Sequence, residues 1–210
     1  MILVGPHGVI RPVFITLADV ARIGYFRQDT LPSESDAQLA VSASHAHNNQ
    51  LCYISKSVQA SYIGVDVETG LVKVLRQWAV DDCGRIINPL LVNEQIRGGI
   101  AQGVGTVLFE ECVFDENGNL INGSLADYLL PTADTMPDIA VAHLETIEGS
   151  TRLGAKGIDE AGLIVAMGAV WVAVNDALKR FGASIKQQPF TPERILDALA
   201  HGRLMRGTDA

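Results

Sequence analysis

A glycine-rich loop with two adjacent carboxylates, Gly154–Gly162, holds the residues best suited to chemistry. It leads into a predicted helix, so its backbone N–H groups and the positive end of the helix dipole form a site for an anion. Lys156 adds a positive charge. A like-charged neighbour favours the neutral acid of Asp159 or Glu160, whereas the helix end and the lysine favour the carboxylate, and this balance can tune a base. The alternative is a capped helix after a loop without a ligand.

Two glutamines, Gln95 and Gln102, stand seven residues apart in a second predicted helix, so they fall on one side of it. Each carboxamide offers a donor and an acceptor, which suits the edge of a polar ligand. Four glycines accompany them: Gly98, Gly99, Gly103 and Gly105. Each costs about 1 kcal/mol relative to alanine inside a helix, so we expect another backbone or a ligand to approach closely. The alternative is tight helix–sheet packing with solvated glutamines.

The hydrophobic pattern predicts helices and hairpins in irregular order, which indicates an α+β fold. Alternation on both sides of Glu68–Gly70 predicts a β-hairpin over residues 57–80. The other expected elements are a helix capped by Thr16, a helix from Asn88-Pro89 to Glu111, a turn at Asp115–Gly118, a strand over 139–146, a helix from about Ala161 to Phe181 closed by Gly182, and a helix from Thr191-Pro192 to about His201. We expect three parts: an N-terminal helix and extended inter-subunit segment (1–56), a C-terminal region (57–200) and a loose tail (201–210).

Composition narrows the classes of function. The net charge of −8 argues against a nucleic-acid partner, and no stretch approaches the roughly 18 apolar residues of a membrane span. Three cysteines, about thirty residues apart, match neither a metal site nor a disulfide framework, which favours free thiols and a cytoplasmic location. A charged fraction of 19% with a positive mean hydropathy indicates surface that a partner covers.

Six motifs in this order resemble the large subunits of the xanthine dehydrogenase and aldehyde oxidase family, the molybdenum hydroxylases. They are Asp82–Pro89, Gln95–Gly105, Phe109–Glu111, Asp127–Thr132, Gly154–Gly162 and Thr191–Arg194. The similarity is greatest to the branch that contains carbon monoxide dehydrogenase large subunits and related bacterial hydroxylases. It runs from about Leu17 to Leu199, nearly the whole chain.

The resemblance implies the mixed β-hairpins and helices of the molybdopterin-binding domain, and it implies roles for individual residues. Glu160 matches the family's catalytic base. The residues expected to contact the pterin cofactor are Gln95, Lys156, Gly157, Ile158 and Asp159. Molybdenum is then held through the pterin and not by protein side chains. One departure is Asp159, where the family usually has glycine, and a carboxylate there is expected to crowd an anionic dinucleotide or to perturb the base.

The resemblance also implies a reaction, cofactors and partners. The expected activity is oxidation of a C–H carbon of an aldehyde, an N-heteroaromatic or a similar small substrate, with water as the oxygen source and Glu160 as the base. The cofactor is a molybdenum–molybdopterin in its cytosine dinucleotide form, and partner subunits carry 2Fe-2S clusters and FAD. Motifs of the family's first half, which selects the substrate, are not found. We therefore expect a fragment or, as we favour, a large subunit split into two polypeptides, the other carrying the N-terminal half.

Two other hypotheses stay open at this point. One is a non-catalytic homologue that keeps the fold as a scaffold or assembly surface, which the change to Asp159 makes conceivable. The other is a stand-alone module that binds a phosphorylated ligand at the helix end.

Overall fold

The computed structural model describes residues 2–4, 10–12, 14–34, 40, 42–44 and 53–207. The chain divides into two units, Met1–Gln50 and Leu51–Ala210.

The first unit contains a short antiparallel pair, β1 (Ile2–Val4) and β2 (Ile10–Pro12), and the helix α1 (Leu17–Phe26). Thr16 caps α1, because its hydroxyl oxygen accepts a hydrogen bond from the backbone N–H of Asp19 at 3.1 Å. The predicted helix and its cap are therefore confirmed.

The second unit is built on a three-stranded sheet in the order β3-β4-β5. The strands are β3 (Lys56–Val65), β4 (Val72–Asp82) and β5 (Ile139–Leu144). β3 and β4 form the predicted antiparallel hairpin, and Gly70 in its turn has φ of +75°, which favours glycine. β5 ends two residues earlier than predicted and runs parallel to β4, a direction that the local pattern did not indicate.

Two long helices cover one face of this sheet: α2 (Pro89–Leu108) and α3 (Ala161–Lys179). Asn88 caps α2 through Oδ1, which accepts from the N–H of Leu90 at 3.1 Å, and Pro89 opens it as predicted. The helix ends three residues before the predicted Glu111. At the other end of α3, Gly182 has φ of +70°, which confirms the predicted stop.

Glycines let α2 and α3 pack backbone to backbone. A Cβ added to Gly99 would lie 2.9 Å from the backbone N of Leu163, and one added to Gly162 would lie 2.6 Å from the carbonyl O of Ile96. Gly103 meets α3 in the same way. Close backbone approach therefore explains these glycines as expected, while a Cβ at Gly98 would meet open space.

The core lies between the helices and the sheet, with Phe190, Ile195 and Leu199 closing one end. Its fully buried helix residues are Ile96, Ile100, Val104, Val107, Ala166, Val170, Val174 and Leu178. Three polar side chains, Gln77, Asp81 and Asp82, are also buried, all on β4. An α+β fold is thus confirmed.

The last helix, α4 (Pro192–Gly207), corrects the predicted end near His201. The tail was predicted to be loose from residue 201, but α4 runs through Gly202, where an added Cβ would lie 2.8 Å from the carbonyl O of Phe181. The glycine is there because α4 passes close to the end of α3, and the helix continues beyond it.

By length and composition alone, one described helix, α3, could cross a membrane. This is weak evidence, because the core helix of a soluble protein meets the same criterion, and one side of α3 is buried against α2 and the sheet. The absence of a membrane span stays a prediction.

Candidate functional site

The first half of the glycine-rich loop is tied to the chain that follows β4. Gly84 and Ala155 form an isolated antiparallel bridge. The backbone N–H of Arg85 donates to the carbonyl of Gly154 at 2.9 Å, and that of Lys156 donates to the carbonyl of Cys83 at 2.7 Å. These bonds fix where the loop leaves the sheet and approaches α3.

Lys156 points into the protein and pairs with Asp82. Its Nζ lies 3.0 Å from Oδ1 of Asp82, and the two side chains are only 5% and 6% exposed. The same carboxylate accepts from the backbone N–H groups of Gly84 at 2.9 Å and Thr146 at 3.0 Å. Burial alone would favour the neutral acid, but the bonds from Thr146, Gly84 and Lys156 outweigh it and lower the pKa of Asp82. The positive charge of Lys156, which was expected at the anion site, is therefore neutralised by Asp82 inside the protein.

The second half of the loop is open. Glu160 is exposed and is the N-cap residue of α3, yet its carboxylate makes no capping hydrogen bond. It lines a cleft of about 370 Å³ together with Gly157, Asp159 and three hydroxyl-bearing residues, Tyr53 and Ser55 just before β3 and Ser57 at its start. A carboxylate that is not used in capping is available for proton transfer at this cleft.

Gln95 reaches the loop from α2. Its Nε2 donates to the carbonyl oxygen of Asp159 at 3.0 Å. The bond fixes the peptide that joins Asp159 to Glu160. Gln102, on the same side of α2, is exposed, and its carbonyl oxygen accepts from Thr106 Oγ1 at 2.9 Å. Among the described residues, no side-chain hydrogen bond joins Gln102 to the loop.

The open half can accept an anionic or polar group. Within the described part of the chain, the backbone N–H groups of Gly157, Ile158 and Asp159 donate to no backbone or side-chain acceptor. They lie just before the N-terminus of α3, where the dipole favours negative charge. Serine and tyrosine hydroxyls line the facing wall. This donor set fits a phosphate-bearing cofactor, with one conflict: the Asp159 carboxylate also lines the cleft.

A chain of side-chain amides that sequence reasoning missed supports the start of α3. Gln59 Nε2 donates to the carbonyl of Gly162 at 2.9 Å, and Gln77 Nε2 donates to Gln59 Oε1 at 3.1 Å. Ser61 Oγ in turn donates to Gln77 Oε1 at 2.5 Å. The sequence feature that could have predicted this chain is the polar residue at every second position of β3, at Ser57, Gln59 and Ser61. In a hairpin strand that packs on a core, one set of alternate residues should be apolar.

A larger cavity, of about 600 Å³, lies elsewhere, at the β3–β4 turn and the end of α2. Its walls are mainly apolar, and the carboxylates that line it, Asp66 and Asp134, accept hydrogen bonds from their own local turns. The smaller cleft brings together the residues that can do chemistry, so we take the Glu160 cleft as the candidate site.

Four of the six predicted site residues thus meet at or beside one cleft: Gln95, Gly157, Asp159 and Glu160. The side chain of Ile158 packs against the core, so only its backbone groups are available to bind a ligand. Lys156 is buried in its ion pair with Asp82. Among the described residues, no group of three or more His, Cys, Asp or Glu side chains is placed to hold a metal ion. The individual roles stay predictions.

Comparison with known proteins identifies the family of this chain. The family of molybdopterin cofactor-binding domains matches residues 6–137. The large subunit of nicotine 6-hydroxylase from Paenarthrobacter nicotinovorans is 40% identical over 184 residues, which cover 88% of this chain and 22% of that subunit. The carbon monoxide dehydrogenase large chain from Hydrogenophaga pseudoflava is 30% identical over 191 residues, covering 91% and 23%. The structure of quinoline 2-oxidoreductase from Pseudomonas putida 86 matches with a TM-score of 0.72 and 40% identity, over 85% of this chain and 22% of that chain.

The fold and the cleft therefore define a cofactor-binding domain. The chain belongs to the molybdopterin cofactor-binding family, that of the molybdenum-binding subunits of molybdenum hydroxylases. The resemblance inferred from the motifs is confirmed. The chain spans less than a quarter of the length of these relatives.

Proposed function

We propose that this chain supplies the base side of the cofactor site in a molybdenum hydroxylase. The enzyme oxidises a C–H carbon of an N-heteroaromatic, an aldehyde or a similar small substrate and takes the oxygen from water. The observation that carries the proposal is the placement of Glu160. Its uncapped carboxylate faces a polar cleft at a helix N-terminus, and Gln95 holds the adjacent peptide at 3.0 Å.

The cofactor in this proposal is molybdenum–molybdopterin in its cytosine dinucleotide form. Gln95 and the backbone N–H groups of Gly157, Ile158 and Asp159 are the groups that would hold it. When bound, it supplies the two-electron redox chemistry. The metal has no protein ligand in this proposal, because it is held through the pterin.

The chain's own contribution is positioning and proton transfer. Glu160 accepts a proton at its carboxylate as the reaction begins. The bonds from Gln95 to the Asp159 carbonyl and from Gln59 to the Gly162 carbonyl hold the backbone on both sides of Glu160. Because these bonds are made before the substrate arrives, little reorganisation is left for the reaction itself.

The proposed partners follow from the length of the relatives and from their names as large subunits or large chains. One proposed partner is a polypeptide that carries the N-terminal half of the large subunit, because this chain spans less than a quarter of the relatives' length. The others carry the 2Fe-2S clusters and FAD through which electrons leave. We place the assembly in the cytoplasm, since the two described cysteines, Cys83 and Cys112, are free.

A second candidate function is a non-catalytic scaffold of the same subunit. The observation that favours it is the Asp159 carboxylate on the wall of the cleft, together with the pairing of Lys156 away from it. Both reduce the positive potential that an anionic dinucleotide requires.

The test that separates the two is chemical analysis of the purified complex. The chain is co-expressed with its genomic neighbours in a host that makes the pterin cofactor. We expect molybdenum and released cytosine monophosphate in amounts equimolar with the chain. A stable, fully assembled complex without either would contradict the catalytic proposal and support the scaffold.

A further inference from the structure

Three polar side chains form a row across the sheet. Ser57 on β3 is paired with Asp81 on β4, and Asp81 is paired with His143 on β5. Side chains at directly paired positions point to the same face of a sheet. Here this is the face that α2 and α3 cover, because Gln77 and Ala79, which share it, are buried.

Four polar atoms in this row are buried and have no hydrogen-bond partner within the described residues. They are Ser57 Oγ, Asp81 Oδ1, Asp81 Oδ2 and His143 Nδ1. Asp81 is 1% exposed. A buried polar group without a partner costs about 1–3 kcal/mol, so four such neighbours favour the binding of a small molecule that forms hydrogen bonds with them. The usual occupant of a polar, enclosed site of this kind is water.

The row connects with the candidate site at one end and with α2 at the other. Ser57 lines the same cleft as Glu160. His143 Nε2 lies 2.7 Å from Asn93 Oδ1 of α2, which fixes the imidazole ring. Hydrogen-bonding groups therefore follow one another from the cleft into the protein.

The environment of Asp81 suits a group that exchanges a proton. Burial raises the pKa of its carboxyl group, against smaller opposing effects of the Ser57 hydroxyl and His143. The ionisable neighbour on β5 is His143. Asp82 and Cys83 follow Asp81 in sequence, and Lys156 from the loop pairs with Asp82. Glu160 lies across the cleft at the start of α3. The contact from α2, Asn93, is uncharged.

We propose that Ser57, Asp81 and His143, with a buried water, form a proton relay behind Glu160; this rests on the proposed function. After Glu160 has taken up a proton, it releases that proton to water in the cleft. The Ser57 hydroxyl accepts a proton from this water and gives its own, through the buried water, to the Asp81 carboxylate. Glu160 returns to the carboxylate and Asp81 becomes the acid, so one negative charge moves and none is created. Asp81 then passes the proton, again through the buried water, to Nδ1 of His143, which becomes an imidazolium.

The first experiment measures turnover of the reconstituted complex against pH. We expect Asp81→Asn and Ser57→Ala each to lower kcat by about tenfold or more, to leave KM unchanged and to flatten the pH profile. The matched control is Asp138→Asn, which removes an exposed carboxylate just before β5. Wild-type kcat and pH profile in both relay variants would overturn the relay. In that case, loss of turnover in Glu160→Gln would show that the proposed function holds without the relay. Normal turnover in Glu160→Gln would show that the proposed function itself is wrong.

The second experiment needs no cofactor and uses the full chain. Because its pKa is raised, folded Asp81 binds a proton at a higher pH than it does in the unfolded chain, where the pKa is about 4. Wild-type stability therefore falls as pH rises from the unfolded pKa through the folded pKa, above which Asp81 is the carboxylate that the relay uses, and Asp81→Asn removes that loss. We expect the unfolding free energy of Asp81→Asn, relative to wild type, to rise with pH over this range. We also expect an infrared band of a buried protonated carboxyl at acidic pH in the wild type, which the variant lacks. A pH-independent difference and an unchanged band would overturn the proposal.

Discussion

The two halves of the Gly154–Gly162 loop have opposite environments although they adjoin in sequence. Residues 154–156 are bonded to the end of β4 through backbone and ion pair. Residues 157–160 expose backbone donors and a carboxylate to the cleft, and Gln95 is the side chain that reaches them from α2. The comparison teaches that the closed half is the support and the open half is the site. Charge is neutralised in the support, so that the site depends on backbone groups and Glu160.

Breaking the closed half should have the largest effect on stability. Lys156→Met leaves the Asp82 carboxylate buried without its cation, and loss of one partner of a buried pair costs about 3–5 kcal/mol. Urea unfolding of the chain measures this. The control is Lys73→Met, which removes an exposed lysine on β4 and should change the unfolding free energy by less than about 0.5 kcal/mol. Equal effects of the two substitutions would contradict the difference between the halves.

The helix that carries the open half is supported by close packing on α2, and two adjacent glycines test this. Gly99→Ala places a methyl group 2.9 Å from the backbone N of Leu163, so we expect a loss of about 1–3 kcal/mol. Gly98→Ala meets open space and should instead stabilise α2 by up to about 1 kcal/mol. Thermal unfolding of the two variants side by side gives the signs, and the same sign for both would show that α3 is not held in this way.

Substitutions at the open half should change the unfolding free energy least. Gln95→Ala removes one neutral hydrogen bond to the Asp159 carbonyl, which is worth about 0.5–1.5 kcal/mol. We expect it also to lower the molybdenum content of the purified complex, because the peptide before Glu160 is no longer fixed. Gln102→Ala, two turns along the same side of α2, is the matched control and should leave the metal content unchanged. If both variants load metal like wild type, Gln95 has no part in the site.

Local signals were enough to predict most elements. The Glu68–Gly70 turn, the helix start at Pro89 and the Gly182 stop each depend on a few adjacent residues, and all three are confirmed. The parallel direction of β5 was not predictable in this way, because it depends on how α2 crosses the sheet. The end of α4 was predicted too early for a related reason: Gly202 lies inside the helix because of its contact with the end of α3, which the local sequence does not show.

The site shows the same division between local and distant information. Glu160 and its loop could be predicted, because the loop–helix motif is continuous in sequence. Gln95 was singled out through its motif as a pterin contact, which stays a prediction, and the structure adds its bond to the Asp159 carbonyl. The pairing of Lys156 with Asp82 was missed, since 74 residues separate them and neither residue's own sequence neighbourhood indicates the other. The polar row of β3 and β4 was missed because inward-facing polar residues look like a solvated strand until the helices are placed over them.

The central claim is that Glu160 acts as a base and is not part of the support. Turnover of the metal-loaded complex with Glu160→Gln tests this most directly, with folding and molybdenum content measured on the same preparation. We expect the variant complex to assemble and to load metal like wild type, because the Glu160 carboxylate makes no capping bond. We expect its turnover to be about 10²–10⁴ times slower than that of wild type. Near-normal turnover in a fully loaded complex would contradict it.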